Sequence, residues 1–297
     1  MTLKTNLSVQ VALVLVALPA FAANPTYLAL GDSIAFGMNP LLLAGPSLPT
    51  ANQFVGYPEA FANISNLPAS KLINGSCPGE TSGSFLHVDQ LDLGCNSAHQ
   101  NPYVPPFKAL QLLHVNYPIT TSQMDFAMAQ IAANPKLNLI TLTIGANDVL
   151  MHLTELQACG TNQACGQDVL GPVLAQYGQN LATILTNIRS KYKGTLMLTK
   201  YYSPDPTLDG VTLALNATMV DVATQLAQQP RFAPVQFADT FVAFKIAAFD
   251  KGGDACQAGL LIQFPPAPGL PPCDQHPSEK GRNVIAYTVL LTQQLAH

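Results

Sequence analysis

Four short stretches hold the residues with which this chain could attack a carbonyl. Ser33 sits in "YLALGDSIAFG", directly after a strand-like apolar run. Gly79 lies in "NGSCPGETS", Asn147 in "TIGANDVL" and His276 in "CDQHPSEKG". A hydroxyl attacks well only when a base takes its proton, and imidazole titrates in the right range for that task. The oxyanion formed by such an attack needs hydrogen-bond donors, which the backbone of a glycine and a carboxamide side chain both supply. Each residue also has a structural reading. Ser33 and Asn147 are helix-cap types, and "PGE" beside Gly79 is a turn sequence. Asp32 and Asp148 read as loop-organising carboxylates near the site. His152, about one helical turn after "GAND", is the other histidine placed to approach it.

These residues need elements to position them. Short apolar runs at 26–30, 71–74, 137–145, 194–200 and 233–239 read as buried strands. Between and after them, 122–134, 170–192, 212–229 and 278–296 carry apolar residues at helical spacing, the last with Ser278 as its cap. Continuous apolar strands alternating with amphipathic helices imply a parallel sheet covered on both faces. In such a sheet the strand ends that precede a crossover share one edge, so Ser33, Gly79 and Asn147 are expected to converge there. Two stretches rich in Pro, Gly and Cys, 84–121 and 250–277, read as long functional loops.

Taken in order, "GDSIAFG", "GETS", "GAND" and "DQHP" resemble the four sequence blocks of the SGNH, or GDSL, hydrolase family, over residues 27–277. The resemblance implies an α/β fold, a three-layer α/β/α sandwich with a five-stranded parallel sheet of the flavodoxin-like kind. It makes Ser33 the nucleophile and, through its own N–H, an oxyanion donor. Gly79 donates through its backbone and Asn147 through its side chain, while His276 is the base. The implied reaction is hydrolysis of carboxylic esters through an acyl-serine, with an acyl ester or lipid as substrate and neither cofactor nor metal. Acyl transfer to an acceptor other than water, acetyl-carbohydrate ester hydrolysis and a catalytically dead binding module are the competing readings. The chain departs from the family pattern at the third triad member, an Asp three positions before the His, where Cys273 stands. Asp274 lies two before. Either its side chain reaches His276 from a shifted loop, or a main-chain carbonyl orients the ring.

The totals agree with an exported enzyme. Lys4, the apolar run "LSVQVALVLVALPAF" and Ala20-Phe21-Ala22 have the form of a signal peptide over 1–23, which leaves 24–297 as a single domain expected to be secreted or periplasmic. Charged residues make up 10% of the chain and the net charge is -4 without a basic cluster, which argues against nucleic acid. So little charge permits transient contact with a lipid interface, and a monomer is expected. Six cysteines in an exported chain read as three disulfides, and sequential pairing (Cys77–Cys95, Cys159–Cys165, Cys256–Cys273) is the simplest of the connectivities. No G-x-S-x-G elbow, P-loop or dinucleotide fingerprint occurs. The absence of Trp favours acyl esters over polysaccharide esters. Two apolar loops, 104–115 and 259–270, are the segments expected to receive an acyl chain. The sequons at Asn63, Asn74 and Asn216 are read as accidental.

Overall fold

Thr26–Gly31 forms strand β1 and is buried at every position, as a strand covered on both faces must be. In the computed structural model, which describes residues 26–98, 105–269 and 271–295, it is an interior strand of a sheet. The other strands are β2 (Leu72–Asn74), β3 (Leu137–Thr143), β4 (Thr195–Thr199) and β5 (Gln236–Ala238). All five are parallel, in the order β2-β1-β3-β4-β5. Each falls within or beside one of the expected runs. The signal peptide expected at 1–23 lies outside the described residues.

The helices are α1 (Ser33–Phe36), α2 (Pro40–Leu43), α3 (Tyr57–Ile64), α4 (Ser82–Leu86), α5 (Gln123–Ala133), α6 (Ala146–Leu150), α7 (Leu153–Cys159), α8 (Gln163–Lys191), α9 (Asp209–Ala227), α10 (Thr240–Ala247) and α11 (Glu279–Leu295). Helix α11 packs on α3 and α10, and α8 packs on α5 and α9, so two helical layers enclose the sheet in a three-layer α/β/α sandwich. Leu28, Leu30, Ile140, Leu142, Leu196 and Leu198 are fully buried between them. The strand order reverses between β1 and β3, and in open α/β sheets ligands bind at that switch, beyond the carboxyl ends of the strands.

Three local differences from the sequence reading have simple causes. Helix α8 begins at Gln163 rather than 170, capped by the Asn162 side chain, and runs through Pro172, a residue type that ordinarily ends a helix. Helices α3 and α10 are too short to show periodicity. Within 250–277, β6 (Leu261–Gln263) and β7 (Cys273–Pro277) pair as an antiparallel ribbon instead of an open loop. Strands of three and five residues around a proline-rich turn leave no readable alternation. Disulfides join Cys77 to Cys95, Cys159 to Cys165 and Cys256 to Cys273, with Cα atoms 5.5, 5.5 and 5.9 Å apart. Among the described residues, no helix is long and apolar enough to cross a membrane.

Candidate active site

The turn that carries Ser33 is fixed by its neighbours. Gly31 has φ +128°, and a Cβ there would lie 2.0 Å from the Thr143 carbonyl oxygen, so only glycine lets β1 and β3 end this close together. The Asp32 amide donates to that same oxygen at 3.0 Å. Asp32 Oδ1 caps α1 by accepting from the Ile34 amide at 2.9 Å, and Tyr201 Oη donates to its other oxygen. Burial raises the Asp32 carboxyl to about 6 despite those bonds. Ser33 is therefore the first residue of a short, rigidly held helix. Among the described residues, no protein group takes its hydroxyl or its amide in a hydrogen bond.

Gly79 (φ +81°) lies so close to the Leu93–Gly94 peptide that a Cβ would sit 2.5 Å from the Leu93 carbonyl carbon. Asn147, on the first turn of α6, donates from Nδ2 to the Glu80 carbonyl at 2.8 Å. That bond sets the carboxamide against the Glu80–Thr81 peptide, one residue past Gly79, and leaves its second N–H unspent. Asp148 holds the two segments together by accepting from the Ser82 amide (2.9 Å) and hydroxyl (2.5 Å). Burial raises its carboxyl to about 6, in spite of the Ser82 bonds. The sequence reading of Asp32 and Asp148 as loop-organising groups matches these contacts.

A second brace was not legible in the motifs. The buried amide of Gln123, on α5, accepts from the Gly31 amide (2.5 Å) and donates to the Gly31 carbonyl (3.0 Å) and to Glu80 Oε2 (2.9 Å). It thus ties the Ser33 turn to the Gly79 turn through one side chain. Glu80 is itself buried, which raises its carboxyl to about 7 against the pull of Lys108 and the Ser84 hydroxyl. Lys108, lowered by burial, donates to Asn96 Oδ1 and the Thr121 carbonyl. The available signal was an uncharged polar residue on the face of α5 that also buries Met124, Phe126 and Ala127.

His276 lies on β7. Its Nδ1 is hydrogen-bonded to Asp274 Oδ1, which also accepts from the His276 amide at 2.9 Å. Burial pushes the Asp274 carboxyl up, but the bond and charge of His276 outweigh it and hold the group below the usual carboxylate range. A carboxylate can only accept, so Nδ1 carries the proton and Nε2 keeps its lone pair. Of the two orienting groups that the sequence left open, the Asp274 side chain is the one found at the ring. Tyr202 Oη steadies the same segment by donating to the Gln275 carbonyl at 2.6 Å. Tyr201 and Tyr202 follow β4, and the strand-end argument that singled out Ser33 and Asn147 applies equally to "KYYS". His152 instead pairs with Glu155 at the surface, at 2.7 Å.

Ser33, Asn147 and His276 line one cavity of about 610 Å³, and Gly79 is not among its lining residues. The loops expected to receive an acyl chain do not line it. Phe107 and Leu113 of the first pack into the core, Phe107 against Phe36, and Leu260 and Leu261 of the second are fully buried. Apolar composition alone does not separate a loop that buries its side chains from one that offers them to a ligand. Of the three sequons, Asn74 and Asn216 are buried, and Asn216 clasps the Tyr201 backbone through two bonds of 2.8 Å.

The Cys256–Cys273 bond ends one residue before Asp274, and so ties the ribbon just where the Asp–His pair begins. Closing this loop removes on the order of 3 kcal/mol of unfolded-chain freedom. Its geometric effect is expected to be larger, because a shift of ~1 Å in a catalytic group costs about 100-fold. A Cys256→Ala/Cys273→Ser variant is expected to lose about tenfold or more in kcat while its circular dichroism stays native. Full activity in the folded variant would reduce the bond to a staple.

The model of the GDSL-like Lipase/Acylhydrolase family matches residues 29–283. No curated protein matches the chain. Among solved structures, the chain is similar to the lipase Lip_vut3 from a goat rumen metagenome, at 17% identity and a TM-score of 0.50, over 90% of this chain and 97% of that one. It is similar also to phospholipase A1 from Streptomyces albidoflavus NA297, at 16% identity and a TM-score of 0.50, over 91% and 99% of the two chains. At these identities the likeness is one of fold.

Proposed function

The chain belongs to the GDSL-like lipase/acylhydrolase family, and on that premise we propose that it is a secreted serine hydrolase cleaving carboxylic esters through an acyl-serine intermediate. Ser33 Oγ attacks the ester carbonyl while His276 Nε2 takes its proton and passes it to the departing alcohol. Water, deprotonated by the same nitrogen, then releases the acid. Asp274 keeps the proton on Nδ1 and stabilises the imidazolium. The Ser33 and Gly79 amides and the Asn147 carboxamide take the oxyanion.

The observation that carries this reading is the Asp274–His276 pair on the same cavity as an uncommitted serine hydroxyl. Export rests on the form of residues 1–23 and on three disulfides, which persist in oxidising compartments. We read 24–297 as one domain. A fluorophosphonate tests the chemistry directly. The peptide containing Ser33 is expected to gain the phosphonyl mass in step with loss of activity on a chromogenic ester. An active protein that stays unlabelled, or is labelled elsewhere, would overturn the assignment of Ser33. A folded protein with neither labelling nor turnover would be a binding module.

A further inference from the structure

The cavity that holds Ser33 and His276 continues well beyond them. One wall is α7, which presents Leu153, Leu156 and Cys159, and Val211 and Leu215 of α9 add a second apolar wall. Gly166, on the first turn of α8, lines it as well. The Cys159–Cys165 bond clips the end of α7 to the start of α8, so this end of the cavity is held in shape.

Helix α8 measures the span. A Cβ on Gly145, two residues before Asn147, would lie 2.5 Å from the Tyr177 ring, so Tyr177 of α8, which does not itself line the cavity, packs against the turn that carries Asn147 and marks the level of the catalytic end. Gly166 precedes Tyr177 by eleven residues on the same helix, about 16 Å at 1.5 Å per residue. An extended acyl chain advances about 1.3 Å per carbon, given bonds of about 1.5 Å, so the span matches roughly a dozen carbons. Methylenes drawn out of water along such a wall each add to binding.

Gly166 is an unexpected residue for its place. It lies within a helix, where glycine weakens the element relative to alanine, and its backbone needs no positive φ. A Cβ there would meet nothing within 4 Å. Neither backbone conformation nor crowding demands glycine, and Gly166 is one of the residues that line the cavity.

Resting on the ester-hydrolase reading above, we propose that the groove along α7 is the acyl-chain site, that it takes an unbranched chain of about twelve carbons, and that Gly166 sets this length by leaving the far end open. The chain enters as the acyl half of the substrate ester, stays as the acyl ester of Ser33 once the alcohol has left, and departs as the fatty acid when water cleaves that bond. The groove does not choose the alcohol.

The test is a rate profile over p-nitrophenyl esters, in which only the acyl chain varies. For the wild-type protein kcat/KM for the laurate is expected to exceed that for the acetate by about tenfold or more. Gly166→Phe, with the ring filling the far end, is expected to lower the laurate-to-butyrate ratio by about tenfold or more. Gly166→Ala is expected to keep that ratio within about twofold and to raise Tm slightly. If the phenylalanine variant fails to fold, Gly166→Leu carries the same expectation at smaller size. Turnover of trilaurin or of dilauroyl phosphatidylcholine would agree with the proposal and would identify the alcohol. A wild-type profile peaking at acetate, or a folded Gly166→Phe variant with an unchanged ratio, would overturn it. These failures are separable from failure of the parent reading, which appears instead as activity that survives Ser33→Ala.

Discussion

Ser33→Ala is expected to remove about five to six orders of magnitude from kcat on a chromogenic ester, with KM and melting temperature little changed. The size follows from the arrangement. Without the hydroxyl no acyl-enzyme forms, and what remains is water attacking an ester held near oxyanion donors. His276→Ala is expected to fall to nearly the same floor, and the double variant no further, because nucleophile and base act as one unit. Asn147→Ala removes one donor among three and is expected to cost about 10²–10³. Its loss should appear in kcat at constant KM, since the carboxamide meets charge that develops only in the transition state. Single-turnover kinetics on the three variants would check the ranking. A Ser33→Ala protein within tenfold of wild type would end the acyl-serine mechanism.

The second large effect belongs to Asp274→Asn, for which a loss of about 10³–10⁴ in kcat is expected with the fold intact. Asp274 Oδ1 takes both the His276 amide and Nδ1, so an asparagine presents one end of its carboxamide to both groups. Its amide, turned toward Nδ1, donates where the carboxylate accepted, and so drives the ring proton to Nε2. The base then presents an N–H to Ser33 instead of a lone pair. The carboxylate is held below its ordinary titration range by His276, so wild-type activity should not fall through deprotonation or protonation of Asp274 across the neutral range. Comparing pH profiles of kcat for Asp274→Asn and Asp274→Ala would show the tautomer effect, with the asparagine as damaging as the alanine or more so. A loss under about tenfold would pass the orienting role to a main-chain carbonyl.

How much of this was legible in the sequence depended on where each residue stands. The sheet was readable because its strands are buried on both faces and therefore rich in apolar residues, with few polar ones, as "TYLAL" and "LNLITLT" are. Ser33 and Asn147 follow strand ends, and a parallel sheet dictates that such positions share an edge. The partner of His276 was only half readable. "CDQHP" names a candidate carboxylate, but whether a side chain two residues away can fold back on the ring depends on the ribbon formed by β6 and β7, whose short strands leave no pattern. Gln123, Glu80 and Lys108 were unreadable for another reason. They are distant in sequence and meet only once α5 has been laid against the sheet. The two loops expected to receive an acyl chain do not line the cavity, because hydrophobicity reports what avoids water and the core competes with a substrate for the same residues.

The placement of His276 on a ribbon outside the main sheet has a consequence for how the enzyme comes into being. Ser33, Gly79 and Asn147 sit on elements made early in synthesis, and the sheet edge that gathers them needs only β1, β2 and β3. The base and its carboxylate arrive with β7, and they are seated by α11, whose Gly281 lies so near the Leu260 carbonyl that a Cβ would stand 2.0 Å from it. On the roles proposed above, a partly made chain therefore carries the nucleophile and the oxyanion donors with nothing to remove the serine proton. Hydrolytic power is withheld until the ribbon has closed and the last helix has docked, so a chain exported as proposed above would be chemically silent toward the esters of the membrane it crosses.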